Sequence, residues 1–271
     1  ISLIVVAIIV AVFGLIFLLN RPSKPTSKSK SEPINESTSK PISKPKGLVA
    51  FVIDDWGYNR NNIDLVFQIQ RPITISILPN LHYSKAIAET VKENGEMYDV
   101  ILHLPLESDR NMAAEVDTIR CNMEEDEISS VLQKDIESIP GIIGVSSHQG
   151  SKATEDERVM EVVLNELKKR KLFFLDSLTT TDSVCLDIAR DIGVKYTRRD
   201  IFLDITDQTD FKNFESYIKQ QIRKLARIAL EKGSAVGIGH NKKITIEAIK
   251  DSVPKLEEEG IKIVPLKELV Q

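Results

Sequence analysis

The amino-acid sequence predicts one α/β domain over residues 47–271, folded as a (β/α) barrel or a doubly wound parallel sheet. Three observations predict it. Short β-rich runs alternate with longer amphipathic runs. The segment holds about 225 residues, a size that one α/β domain accommodates. No internal repeat divides it.

The strand candidates are Leu48–Ile53, Ile73–Leu78, Tyr98–Leu104, Ile142–Ser147, Leu172–Asp176, Val194–Thr197, Ala235–Ile238 and Ile261–Val264. Helical patterns lie between them, near 60–70, 83–94, 124–138, 155–170, 182–191, 211–232 and 245–259. The fourth of these is clear: Val159, Val162, Val163 and Leu167 fall on one stripe, with Lys and Glu opposite. Thr179-Thr180-Thr181 would cap the helix that follows it.

Two further segments precede the domain. Residues 1–19 are apolar and uncharged, and as a helix they would span roughly 28 Å, about one bilayer core. They read as a transmembrane anchor, with a cleaved signal as the lesser alternative. Residues 20–46 are Ser, Lys, Pro and Thr with little to bury, the composition of a flexible tether. Residues 1–46 carry a net +5 and the remainder −9. An acidic domain of this size is a poor match for nucleic acid. The bases after the apolar run would by themselves favour a cytoplasmic C-terminal side, and this conflicts with an exported domain. Overall composition, with 42% hydrophobic and 28% charged residues, is that of a globular chain. Two cysteines, Cys121 and Cys185, do not decide the redox compartment.

Active sites of parallel α/β folds gather at the C-terminal ends of strands. This sequence places Asp54 and Asp55, His103 and Glu107, His148, Asp176, Arg199 and His240 at such ends. Three of the four histidines are among them, and His82 reads as a surface or cap residue. Imidazole and carboxylate together can ligate a Zn²⁺-type ion with positions left open. Two adjacent aspartates can split the work, one holding a metal and the other taking a proton. Each residue also has a plainer reading. Asp54-Asp55 could cap a turn, His103 could be a packed core residue, and His148 and His240 could be loop residues. Their joint placement favours chemistry. Gly237-Ile-Gly-His lacks the third Gly or Lys-Ser/Thr of a phosphate loop, and no Gly-x-Ser-x-Gly elbow exists.

Six ordered motifs carry a resemblance: Val52-Ile-Asp-Asp-Trp-Gly57, Leu102-His-Leu-Pro-Leu-Glu107, Ser147-His-Gln-Gly-Ser151, Phe174-Leu-Asp-Ser177, Arg199-Asp-Ile-Phe-Leu-Asp204 and Gly237-Ile-Gly-His240. Residues 47–271 thereby resemble the divergent polysaccharide deacetylase family, within the glycoside hydrolase/deacetylase superfamily. The resemblance implies a distorted (β/α) barrel of seven to eight strands. It implies a divalent metal, zinc first, held by Asp55, His103 and His148. Asp54 would be the base and His240 the acid, with Glu107, Asp176 and Arg199 as substrate-binding residues. The substrate would be an N-acetylated polysaccharide of the envelope, reached from a membrane anchor on the extracytoplasmic side. Two departures stand out. The two histidine ligands lie 45 residues apart rather than in one His-x-x-x-His segment, and the Arg-Pro-Pro-Tyr segment is absent. They keep open a catalytically silent glycan- or partner-binding protein, and behind it another hydrolase on the same scaffold.

Overall fold

The computed structural model describes residues 44–109, 115–206 and 213–271. One sheet contains β1 (Gly47–Trp56), β2 (Ile73–Ile77), β3 (Tyr98–Leu106), β4 (Gly144–Gln149), β5 (Phe173–Asp176), β6 (Tyr196–Arg198), β7 (Ile201–Phe202), β8 (Ser234–His240) and β9 (Ile261–Ile263). The helices are α1 (Ile63–Phe67), α2 (Ser84–Glu93), α3 (Glu125–Ser138), α4 (Glu157–Arg170), α5 (Cys185–Ile192), α6 (Phe214–Lys232) and α7 (Lys243–Glu258). Each strand candidate in the sequence has its counterpart. The sequence reading omits β7, because two residues carry no periodicity.

The strand order is β6-β5-β4-β3-β2-β1-β8-β7, with β9 beside β1, and each pairing is parallel. The order is sequential around the sheet and has no switch point, so the doubly wound alternative falls away. Although β6 and β7 stand at opposite ends of this order, only Arg199 and Asp200 separate them in the chain. The Arg199 amide donates to Asp176 O on β5 at 3.0 Å, and the next amide, Asp200, donates to Val236 O on β8 at 2.9 Å. Leu203 N continues to Ile238 O at 2.8 Å. One broken strand thus borders both edges and curls the sheet into a distorted barrel.

Both faces of the sheet are covered, and the period of two decides which residue faces where. Val49, Phe51 and Ile53 of β1, with Leu102 and Leu104 of β3, pack outward with the buried faces of the helices. Ala50, Val52, Ile101, Phe173, Leu175, Val236 and Ile238 point inward and pack with Leu266. Leu269 and Val270 join this inner cluster, so the C-terminal segment closes the barrel floor. Helix α4 follows its sequence signals. Asp156 caps it by accepting from Val159 N at 3.1 Å, its last turn is basic, and Lys171 ends it in the left-handed region at φ 58°.

Gly237 and Gly239 serve close approach rather than phosphate binding. A Cβ at Gly237 would come within 2.5 Å of Leu225 Cδ2 on α6, and one at Gly239 within 2.6 Å of Thr245 Cγ2 on α7. The threonine run does not cap α5. Thr179 donates to Gln149 O at 2.6 Å and Thr180 bonds Glu155 at 2.5 Å, while Ser183 Oγ accepts from Cys185 N at the helix start. Both cysteines are free thiols. Among the described residues no helix is long and apolar enough to cross a membrane. The apolar run 1–19, and residues 20–43 of the tether, lie outside the described residues.

Candidate functional site

The inward rows of the barrel change character at their C-terminal ends. Ala50 and Val52 lead to Asp54, Ile101 leads to His103, and Val236 and Ile238 lead to His240. On β4 the same row runs through Ser146 to His148. Asp54 and His240 are register partners on β1 and β8, and His103 and Ser146 are partners on β3 and β4.

Asp55 should point the other way, and a bulge prevents it. Between the pairs Ile53↔Ile75 and Trp56↔Ile77, β1 has one residue more than β2. Asp55 takes φ 65° there. A bulge residue in the left-handed region turns its side chain, so two consecutive carboxylates enter one cleft. That cleft has a volume of about 360 Å³, and Asp54, Asp55, His103, His148, Arg199 and His240 all line it. Serine and threonine hydroxyls, Phe202 and Ile205 complete its wall.

Three ligand atoms converge. His148 Nδ1 lies 3.0 Å from His103 Nε2, and Asp55 Oδ1 lies 3.4 Å from each of them. These residues form the group that can hold a metal ion among the described residues. Donors about 2.0–2.1 Å from one ion stand about 3.3 Å apart at tetrahedral angles and about 2.9 Å apart at right angles. The observed edges match that range. The hydrogen bonding behind His103 agrees. His103 Nδ1 is 2.8 Å from Ser146 Oγ, which is also bonded to Ser76 Oγ at 2.8 Å and directed at Leu102 O at 3.4 Å. With its proton on Nδ1, His103 presents a bare Nε2 to the other two donors. Asp54 Oδ1, Asp55 Oδ1 and His148 Nε2 are buried without hydrogen-bond partners. A cation held by Asp55 Oδ1, His103 Nε2 and His148 Nδ1 fits this donor set and would leave His148 Nε2 as the outward nitrogen.

Electrostatics separate the two aspartates. Burial raises the Asp54 pKa above the ordinary carboxylate value, and His103 and His240 only partly offset it. Asp55 is also penalised by burial, but the His103 and His148 imidazoles outweigh this and hold it well below the usual range. His240 has its own carboxylate: Asp204 Oδ1 is 2.7 Å from its Nδ1. Asp204 Oδ2 accepts from His240 N at 3.1 Å and from Thr245 Oγ1 at 2.7 Å. Burial would lower the His240 pKa, yet the Asp204 contact prevails and raises it. The same contact overcomes burial to lower that of Asp204.

Two expected substrate-binding residues lie outside the cleft wall. Asp176 follows the inward Leu175 and so faces the helices. It is fully buried, accepting from Leu178 N at 2.8 Å, Ser183 Oγ at 2.6 Å and Tyr196 OH at 3.2 Å. Glu107 braces loops, bonded to Cys121 N at 2.7 Å and Lys152 Nζ at 2.8 Å. Arg199 does line the cleft. Its guanidinium donates to Ser177 O and Leu178 O, each at 2.7 Å, and stacks 3.7 Å above the Phe202 ring. Burial lowers its pKa to about 10, which leaves it charged at neutral pH. His82 is exposed, as expected. Sequence reasoning assigned no role to Ser146, Asp204 or Glu115. Asp204 closes a motif quoted above, and its spacing from His240 carries no local period.

Fold and cleft together define a (β/α)-barrel protein with a candidate cation site at the C-terminal strand ends. The chain belongs to the divergent polysaccharide deacetylase family, whose model matches residues 51–270. The uncharacterized protein YibQ of Escherichia coli K12 is 30% identical over 210 residues, covering 78% of this chain and 63% of YibQ. This chain therefore spans less than two thirds of that relative. An uncharacterized protein of Haemophilus influenzae Rd is 30% identical over 211 residues, covering 78% of this chain and 72% of its own length. The crystal structure of an uncharacterized protein from Agrobacterium tumefaciens C58 shares the fold, with TM-score 0.75 and 22% identity over 84% of this chain and 91% of that one.

Proposed function

We propose that this protein is a metal-dependent amidase that removes acetyl groups from an N-acetylated envelope glycan. One observation carries the reading: a buried carboxylate with one unbonded oxygen and an Asp-backed imidazole are register neighbours beside a convergent Asp/His/His set. Asp55, His103 and His148 would hold a divalent ion, zinc before others. Such an ion supplies Lewis acidity, polarising an amide carbonyl and making water more acidic. Asp54 accepts the proton of the attacking water on its free Oδ1, and burial favours its keeping that proton. His240, held through Nδ1 by Asp204, keeps Nε2 for delivering a proton to the departing amine. Its raised pKa keeps the acid form available toward neutral pH. Arg199 and Phe202 form the wall beside His240, with the two rings 6.0 Å apart and nearly parallel. This stacking restricts how the imidazole can tilt.

The same proposal gives residues 1–19 the role of membrane anchor and residues 20–46 that of tether. The 47–271 domain would then work on the extracytoplasmic side. The test uses the full chain: metal content by elemental analysis, and acetate release from N-acetylated glycans with and without chelator. About one ion per chain and chelator-sensitive acetate release are expected, both lost in His103→Ala and His148→Ala. Metal uptake with glycan binding but no acetate release would favour the silent binder. No uptake of offered Zn²⁺ would refute the amidase.

A further inference from the structure

The two histidines of the candidate centre are held unequally. His103 meets its neighbours through Nε2 and is fixed from behind by Ser146 on Nδ1. His148 is reversed: Nδ1 faces the cluster, and Nε2 is the rear nitrogen. That Nε2 is buried and lacks a hydrogen bond. A ligating histidine almost always donates its rear N–H to a carboxylate, carbonyl or water, which fixes the tautomer.

One carboxylate stands behind it. Glu115 Oε1 is 3.9 Å from His148 Nε2, too far for a hydrogen bond and about an ångström from making one. The same oxygen accepts from Tyr58 OH, so it arrives on the loop between β3 and α3 already held. The stretch just after Glu115 is itself tied down. Thr118 Oγ1 donates to Glu115 O at 2.8 Å, and Asp117 pairs with Lys134 of α3 at 2.5 Å. Tyr58 lies just past the Asp54-Asp55 bulge, so the support reaches Glu115 from the strand that also carries Asp55.

We propose that Glu115, held by Tyr58, is the positioning residue of His148, accepting the Nε2 proton so that Nδ1 stays bare toward the cation. This rests on the metal-site reading above and adds two residues to it. Glu115 touches no ligand atom other than through His148. Its effect is therefore expected in metal affinity and imidazole tautomer rather than in folding.

The experiment measures Zn²⁺ affinity of the full chain by competition with a chromophoric chelator, for wild type, Glu115→Ala, Glu115→Gln and Tyr58→Phe. Loss of such an outer partner typically weakens metal binding 10–100-fold. Glu115→Ala is expected in that range. Glu115→Gln keeps an acceptor oxygen and is expected to recover most of the affinity, and Tyr58→Phe to lose less than Glu115→Ala. Nitrogen-15 histidine spectra of the zinc-free protein should show His148 protonated on Nε2 in wild type and as a tautomer mixture in Glu115→Ala. Unchanged thermal midpoints without zinc would exclude a folding defect, and Tyr58→Phe serves as second variant should Glu115→Ala unfold. Affinity of Glu115→Ala within threefold of wild type would overturn the proposal while leaving the metal site standing. Glu115→Gln as weak as Glu115→Ala, with an unchanged tautomer, would overturn it too, since charge alone would then explain the loss. A wild type that takes up no zinc would overturn both readings.

Discussion

Replacing Asp204 by Asn removes the charge behind His240 and changes little else in size. Asp204 is buried, 2.7 Å from His240 Nδ1, and its second oxygen serves His240 N at 3.1 Å and Thr245 Oγ1 at 2.7 Å. A charge-assisted hydrogen bond contributes about 1.5–3 kcal/mol against about 0.5–1.5 for a neutral one. The amide can turn its oxygen toward His240 Nδ1, but its NH₂ then confronts the His240 backbone N–H. An unsatisfied buried donor costs about 1–3 kcal/mol. Together these destabilise Asp204→Asn by about 2–4 kcal/mol near pH 6. The loss depends on pH in a stated direction. The folded His240 pKa is raised, so its contribution is whole below the ordinary value of about 6.5 and drains away as pH rises through the folded value. Asp204 is depressed, so its contribution is present above about pH 3.9 and vanishes as pH falls through its folded value. The variant and wild type should therefore differ most between about pH 4 and 6.5, and the difference should narrow toward pH 9 to the part that the misdirected amide and the Lys242 pairing sustain. Urea unfolding of chelator-treated protein at pH 5, 7 and 9 measures this, and the NMR titration midpoint of His240 should fall in the variant. An equal stability difference at pH 5 and pH 9 would refute the coupling.

Three further outcomes are expected. Ser146→Ala takes the buried partner from His103 Nδ1 and Ser76 Oγ; it should weaken Zn²⁺ binding about 10–100-fold, measured by chelator competition, and cost about 1–3 kcal/mol in urea. Asp176→Ala strips three partly buried donors of their acceptor; it should destabilise by about 2–5 kcal/mol in urea while zinc affinity of the folded protein holds. Asp135 is buried, and burial, with Asp117 nearby, pushes its pKa up to about 7. Its folded value lies above the unfolded one, so wild type loses stability as pH rises from about 4 to 7; Asp135→Asn should be the more stable above pH 7, by up to about 4 kcal/mol, and the two should match at pH 4.

Much of the fold is legible because both faces of this sheet are buried. The strands read as apolar runs, and the helices between them carry single apolar stripes. The inward row is legible too, since Ala50, Val52 and Asp54 alternate, as do Val236, Ile238 and His240. Asp176 misleads because it ends an apolar strand yet sits one residue out of step with the inward Leu175. Asp55 is out of step as well and reaches the cleft only through the bulge at φ 65°. A local register change of this kind leaves no mark in composition. Glu115 and Asp204 are brought in by tertiary contacts, from a loop and from beyond the broken strand. Nothing within a helical or strand period links them to His148 and His240. Glu107, in a matching motif, braces loops because its oxygens meet Cys121 N and Lys152 before they reach the cleft.

The join at residues 196–203 sets where this barrel gives way first. β1 is paired with β8 from Leu48 to Asp54 and, on its other side, with β9 at its start and β2 at its end, whereas β6 contributes three register pairs and β7 two. Amide exchange should therefore be graded around the ring, slowest in β1, β3 and β8, where release requires global unfolding, and fastest at the join, where a local opening suffices. Arg199 and Phe202 ride on that stretch and form one wall of the cleft. The low-energy breathing of the scaffold and the widening of its cleft are then one motion. The Asp/His/His cluster on β1, β3 and β4 can stay in place while the opposite wall moves.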